Sequence, residues 1–298
     1  MEGVMMRGPK EIATAVRKSN GEIIVDKRNV SSILTKYKFL KLPVLRGVIS
    51  FFESMIVGVK CLMFSAEQVD LEDGEEYKPS KIEKWLDDKF GDKIKDIVIY
   101  FSVCVSLVFS VGLFILLPTF LVGWIKHFTQ NSVMLSLCEG VVRILIFLVY
   151  LTLVSRMKDI QRVFEYHGAE HKTIAAYEHG EELTPENARK YSRLHPRCGT
   201  SFLLIVMVIS IIFFSFLKWE TLWQRILYRL LLLPVVAGLS YEIIKFAGRS
   251  TNKCVKWLTA PGLALQYLTT REPDDSQLEV AIEALKNVLT GNKEDDKW

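Results

Sequence analysis

The sequence predicts a mainly α-helical, polytopic membrane bundle. It has four transmembrane helices, one interfacial or re-entrant amphipathic helix, and a small N-terminal β-hairpin in the cytosol. Three observations predict this. Half of the 298 residues are hydrophobic, a high share for a soluble chain of this length. The apolar residues fall in long runs, and the run over residues 97–125 holds no charge, whereas about 20 apolar residues suffice to cross a bilayer. Lys and Arg gather in some connecting segments and are scarce in others, which is the signature of an oriented membrane protein.

Residues 1–43 are a cytosolic N-terminal segment. "EIATAVRKSNGEIIVDKR" reads as two short strands around Ser19-Asn20-Gly21, because Asn-Gly tolerates the positive φ angles of a tight hairpin turn. Residues 44–68 are apolar except for Arg46, Glu53, Lys60 and Glu67, spaced seven apart. Seven residues are nearly two helical turns, so these charges form one stripe on an apolar helix that is interfacial or re-entrant. Residues 69–96 are a polar cytosolic segment. Residues 97–155 hold the first two spans, with Pro118 inside the first and the pair Glu139 and Arg143 inside the second. Residues 156–198 form a cytosolic loop, and 199–248 hold the last two spans, with Glu242 and Lys245 in the fourth. Charges inside a bilayer are costly, so Glu139 with Arg143, four apart, and Glu242 with Lys245, three apart, are read as pairs on one helix face. Residues 249–298 end in "PDDSQLEVAIEALKNVLTGN", an amphipathic helix with Leu278, Ile282, Leu285 and Leu289 on one stripe and Gly291 as a stop. Such a helix docks on this protein's own cytosolic face or on a partner.

Eight Lys and Arg lie in residues 156–198, against one each in the loops at 126–132 and 218–224. This places both termini and the 156–198 loop in the cytoplasm. The N-terminus shows no apolar signal core, so no cleavable leader is expected. The net charge of +4 is mild and gives no reason to expect nucleic acid. Five cysteines without framework spacing fit a reducing compartment.

The chemistry is concentrated in the 156–198 loop. "EYHGAEHKT" puts His167 and His171 one helical turn apart with Glu170 between them. Two imidazoles on one face can share a metal, and in the H-x-x-E-H pattern the glutamate activates a water. "RLHPRCGT" adds His195 and Cys198, a second pair at ligand spacing. Nitrogen and sulfur donors suit Zn2+ better than magnesium or calcium. Four protein ligands would close a structural clip, whereas three would leave a position for chemistry. Without a metal, the histidines would bond to Glu165, Glu170 or backbone, and Cys198 would be a buried cap.

"EGVMMRGP", "YHGAEHKTIAAYE" and "SRLHPRCGTSFLL" together resemble the signatures of the YqhQ-like family of bacterial membrane proteins, domain of unknown function 1385. The resemblance implies a predicted metal-dependent enzyme without an established reaction. It carries His167, Glu170, His171, His195 and Cys198 as site residues, and Met5, Met6 and Arg7 as a further functional surface. Two function classes follow. One is a membrane-embedded metal hydrolase with Glu170 as general base, acting on a lipid-linked or membrane-protein substrate. The other is a non-catalytic scaffold or assembly factor with a structural metal. Its partners would be the bilayer and a homo-oligomer or a membrane complex such as protein-insertion machinery. That complex would dock on the hairpin, the stripe of Arg46, Glu53 and Lys60, and the C-terminal helix.

Overall fold

The N-terminal sheet is antiparallel, in the order β1-β2-β3: β1 is Gly3–Arg7, β2 Glu11–Arg17 and β3 Ile23–Asn29. This computed structural model describes residues 2–30, 33, 37–68, 93–125, 131–196, 198–216, 222–249 and 253–291. The expected hairpin is β2–β3. Its turn has Gly21 at φ 85°, and the Asn20 side chain accepts the Glu22 N–H at 3.0 Å. The sheet has one strand more than expected, β1, which is the "GVMMR" motif itself. Val4 and Met6 alternate into the core while Met5 and Arg7 face away. Gly8 makes the turn between β1 and β2, its N–H donating to the Glu11 carbonyl at 2.8 Å.

The helices are α1 Leu45–Gln68, α2 Lys93–Val111, α3 Leu117–Ile125, α4 Ser132–Val154, α5 Lys158–Glu178, α6 Pro185–Arg189, α7 Gly199–Ser215, α8 Leu222–Arg249, α9 Lys253–Thr269 and α10 Asp275–Lys286. A π-turn, Gly112–Leu116, joins α2 to α3. The chain falls into two units. One comprises Met1–Asp70, Tyr150–Phe214 and Trp219–Trp298; the other comprises Leu71–Val149 and Ser215–Lys218.

In the first unit, α10 is the keystone. Leu278, Ala281, Ala284 and Leu285 are buried against β1, β2 and α5, in one core with Val4, Met6, Tyr166 and Ala169. The amphipathic C-terminal helix therefore docks on its own chain. A capping box starts it: Asp274 accepts the Gln277 N–H, and the Gln277 side chain accepts the Asp274 N–H. The same unit packs α1 on α8 at a small-residue crossing, where a Cβ on Gly47 would lie 2.9 Å from the Gly238 Cα. Beside it Arg46 holds the Glu242 carboxylate with two guanidinium nitrogens, Nε at 2.6 Å. Val44, in the left-handed region at φ 70°, turns its N–H onto the same carboxylate. Glu242, expected to pair with Lys245, also makes a bond between helices. The bidentate guanidinium fork gives that bond geometric specificity.

In the second unit, Pro118 has no N–H to offer the Phe114 carbonyl four residues back. The helix widens into the π-turn there, and Arg143 Nε donates to that carbonyl at 3.0 Å. Glu139 accepts from Arg143 at 3.2 Å and from the Thr119 hydroxyl at 2.8 Å. The expected Glu139–Arg143 pair is present, and it repairs the backbone around a proline.

Among the described residues, four helices are long and apolar enough to cross a membrane: Leu45–Ser65, Phe101–Trp124, Val133–Val154 and Leu227–Phe246. The sequence-based set of four differs in one member. Helix α1 replaces Gly199–Ser215, which is shorter at 17 residues. Two charges of the stripe on α1 have partners within the chain. Arg46 meets Glu242, and Glu53 accepts the Ile33 N–H at 2.8 Å. The polar segment 69–96 lies almost entirely outside the described residues.

Candidate metal site and its cavity

Helix α5 carries both histidines of the H-x-x-E-H pattern, with ring centroids 4.4 Å apart. Each imidazole is oriented from behind by a backbone carbonyl. His167 Nδ1 donates to Thr269 O at 2.8 Å, and His171 Nδ1 donates to Arg193 O at 2.6 Å. A carbonyl only accepts, so both rings carry their proton on Nδ1 and present an Nε2 lone pair, the arrangement of a metal-ligating histidine. Cys198 Sγ lies 3.2 Å from His167 Nε2. One donor atom each from His167, His171 and Cys198 lies within 4.8 Å of the others. Two donors on one tetrahedral zinc stand roughly 3.3–3.7 Å apart, so this N,N,S set suits that ion in donor type, while its outer spacing of 4.8 Å is wider than a closed coordination shell.

These carbonyls are delivered by long-range packing. Gly168 has no room for a Cβ because the Arg271 carbonyl occupies that space, and the Arg271 N–H donates to Phe164 O at 2.9 Å. Together they press the end of α9 onto α5. Lys172 is buried, and its ammonium donates to the carbonyls of Arg189, at 3.1 Å, and Tyr191, at 2.7 Å, and pairs with Glu272 at 2.9 Å. That clamp fixes the strand of chain holding Arg193. Glu2 ties β1 to α5, its carboxylate bridging Arg162 at 2.7 and 2.8 Å and the Tyr166 hydroxyl at 2.8 Å. Burial would raise the Glu2 pKa, but the Arg162 and Tyr166 hydrogen bonds outweigh it and leave the carboxyl below its ordinary value. Burial and Glu2 push the Tyr166 phenol up.

The donors open onto a cavity of about 280 Å3. Glu170, Glu178 and His195 complete its polar wall, while Met5, Met6, Arg7, Ile174 and Leu285 line the rest. Glu170 is half-buried, and its carboxyl has no hydrogen bond or ion pair among the described residues. Burial pushes its pKa above the ordinary carboxylate value, against the pull of His167 and His195. His195 stands apart from the three-donor group. Its ring is 5.6 Å from that of His171, its Nε2 is 3.6 Å from Glu178, and its backbone is clamped on both sides by the Gln266 amide at 2.8 Å. Met5, Met6 and Arg7 do reach the site. Arg46, Glu53, Lys60, Glu139, Arg143, Glu242 and Lys245 do not line this cavity.

The family model described as "Protein of unknown function (DUF1385)" matches residues 42–291. The chain belongs to this family. The matched DUF1385 region contains all three clustered donors, Glu170 and His195, and stops short of β1. A relative, "Uncharacterized protein YqhQ" of Bacillus subtilis (strain 168), is 36% identical over 303 residues, covering 97% of this chain and 90% of the relative. No solved structure matches the chain.

Residues missed from sequence are those holding the site rather than facing it: Glu2, Arg162, Lys172, Gln266, and the Thr269 and Arg193 carbonyls. Lys172 had a signal, a lysine embedded in the histidine motif. A backbone carbonyl has none.

Proposed function

We propose that this DUF1385 member is a zinc-dependent hydrolase of the bacterial inner membrane. Its site would face the cytoplasm, as the distribution of Lys and Arg suggests. His167, His171 and Cys198 would hold the ion. The observation that carries the reading is the combination of three converging donors with a carboxylate on the same cavity wall that makes no hydrogen bond or ion pair among the described residues. Three protein ligands leave one position for water or substrate. Bound zinc supplies Lewis acidity and a nucleophile at neutral pH.

The chain's own groups do the rest. The Thr269 and Arg193 carbonyls keep both imidazoles in the ligating tautomer. Glu170 takes a proton from water as its oxygen adds to an acyl or phosphoryl centre, and returns it to the leaving group as that bond breaks. The His195–Glu178 pair is a second proton carrier on the same wall. The apolar wall of Met5, Met6, Ile174 and Leu285 excludes water and suits a substrate with an apolar part.

The alternative, a scaffold with a closed structural zinc, would draw its fourth ligand from His195. That ring stands outside the three-donor group, its Nε2 3.6 Å from Glu178. The docking elements it would use are also turned inward, α10 into the core and Arg46 onto Glu242.

Metal content of detergent-purified protein separates the two readings. We expect one zinc per chain, lost in His167→Ala and Cys198→Ser and kept in His195→Ala. Glu170→Gln keeps the zinc and loses at least about a hundredfold of hydrolysis on a panel of ester, amide and phosphoester probes. Wild-type protein without zinc refutes the hydrolase. Zinc lost as fully in His195→Ala as in Cys198→Ser instead establishes the closed clip.

A further inference from the structure

Arg7 belongs to the walls of two cavities. One is the cavity of the donor cluster. The other is a groove of about 130 Å3 whose cations are Arg7, Arg28 and Lys60 and whose one carboxylate is Glu53. Arg28 is held by Asp26 at 2.6 Å, and Glu53 accepts the Ile33 N–H. The Cys61 thiol in the same wall accepts the Thr14 hydroxyl at 3.1 Å. Among the described residues, Arg7 and Lys60 make no hydrogen bond or ion pair. A half-buried guanidinium without a partner is costly to keep and is suited to an anion that arrives later. Two uncommitted cations match a phosphate monoester, which carries about −1.5 to −2 charges at neutral pH, better than a carboxylate with one.

We propose that Arg7 and Lys60 form a phosphate-binding subsite, and that the substrate class is phosphate-bearing compounds. This rests on the hydrolase reading for the neighbouring cavity. Arg7 is the link, because a ligand whose phosphate sits in the groove runs past it into the cavity of His167, His171 and Cys198. The phosphate comes either from a lipid headgroup, since Lys60 lies on a helix long enough to cross a membrane, or from a soluble phosphoester.

The test titrates zinc-loaded, full-length protein with inorganic phosphate and methyl phosphate in uncharged detergent. In parallel it is reconstituted in phosphatidylcholine nanodiscs with and without phosphatidic acid. We expect phosphate to bind wild type and to bind at least about tenfold more weakly in Lys60→Gln and Arg7→Gln, with zinc content unchanged in both. A gain confined to phosphatidic-acid nanodiscs assigns the lipid source, and a gain with free phosphate assigns the soluble one. Lys60 is exposed, so Lys60→Gln tests the subsite even if Arg7→Gln fails to fold. Affinity equal in wild type and Lys60→Gln, or binding of neither source, overturns the subsite while leaving the zinc in place. Zinc missing from wild type with Lys60-dependent phosphate binding intact sinks the hydrolase and keeps the subsite.

Discussion

Glu2 is the residue on which the placement of β1 depends. Its carboxylate joins strand to helix through Arg162 and Tyr166, and its folded pKa is depressed below the unfolded value of about 4.5. A depressed carboxyl contributes stability above the unfolded pKa and loses it as pH falls through the folded one. We therefore expect thermal unfolding to be flat from pH 7 to 5 and to drop below about pH 4, with the drop reduced in Glu2→Gln. An unchanged acid profile in that variant removes the linkage. The carbonyls behind His167 and His171 make a related point. The two imidazoles are as legible in the sequence as any motif, but the groups that choose their tautomer are 102 and 22 residues away. His195 shows the reverse. Spacing made it a ligand candidate equal to Cys198, and only its neighbours Glu178 and Gln266 tell the two apart.

At the scale of elements, α10 shows how much an amphipathic pattern leaves open. Its stripe and its cap are readable, because both arise within a dozen residues. Asp274→Ala removes the cap and is expected to cost about 0.5–2 kcal/mol by denaturant titration. Leu278→Ala removes a fully buried side chain and is expected to cost about 2–5 kcal/mol. If Leu278→Ala cost no more than the cap variant, α10 would not be the core element described here. Strand β1 was the element least visible beforehand. Its five residues alternate, but Met and Gly are weak strand formers, and the strand exists because β2 pairs with it and α10 covers it. Helix α1 carries a seven-residue charge repeat on an apolar helix, and its first charge, Arg46, is matched by Glu242 on α8, a partner no local pattern reveals.

At the scale of the whole molecule, one core draws on residues 4–15, 166–188 and 278–288, so the two ends of the chain close over its middle. None of the clustered donors lies in either end, yet the core those ends complete includes Tyr166 and Ala169 of the helix that carries His167 and His171. Removing residues 274–291 is expected to abolish zinc retention and broaden thermal unfolding, as measured by metal analysis and melting of the purified truncation. Full zinc retention would show that the cluster folds without the keystone.

The sequence by itself determined the helical membrane-type class, the β2–β3 hairpin, the capped C-terminal helix, the family, and the short list of metal-type donors. The family rests on the likeness of its motifs; each of the others rests on hydropathy, periodicity or spacing, which act over a few turns of chain. Only the tertiary structure decided which three donors converge, which glutamates and arginines pair between elements, and that the methionine-arginine motif is a strand on the cavity wall. Those outcomes depend on hydrogen bonds and close approaches between segments from 22 to 196 residues apart, where geometry rather than local pattern selects the partner.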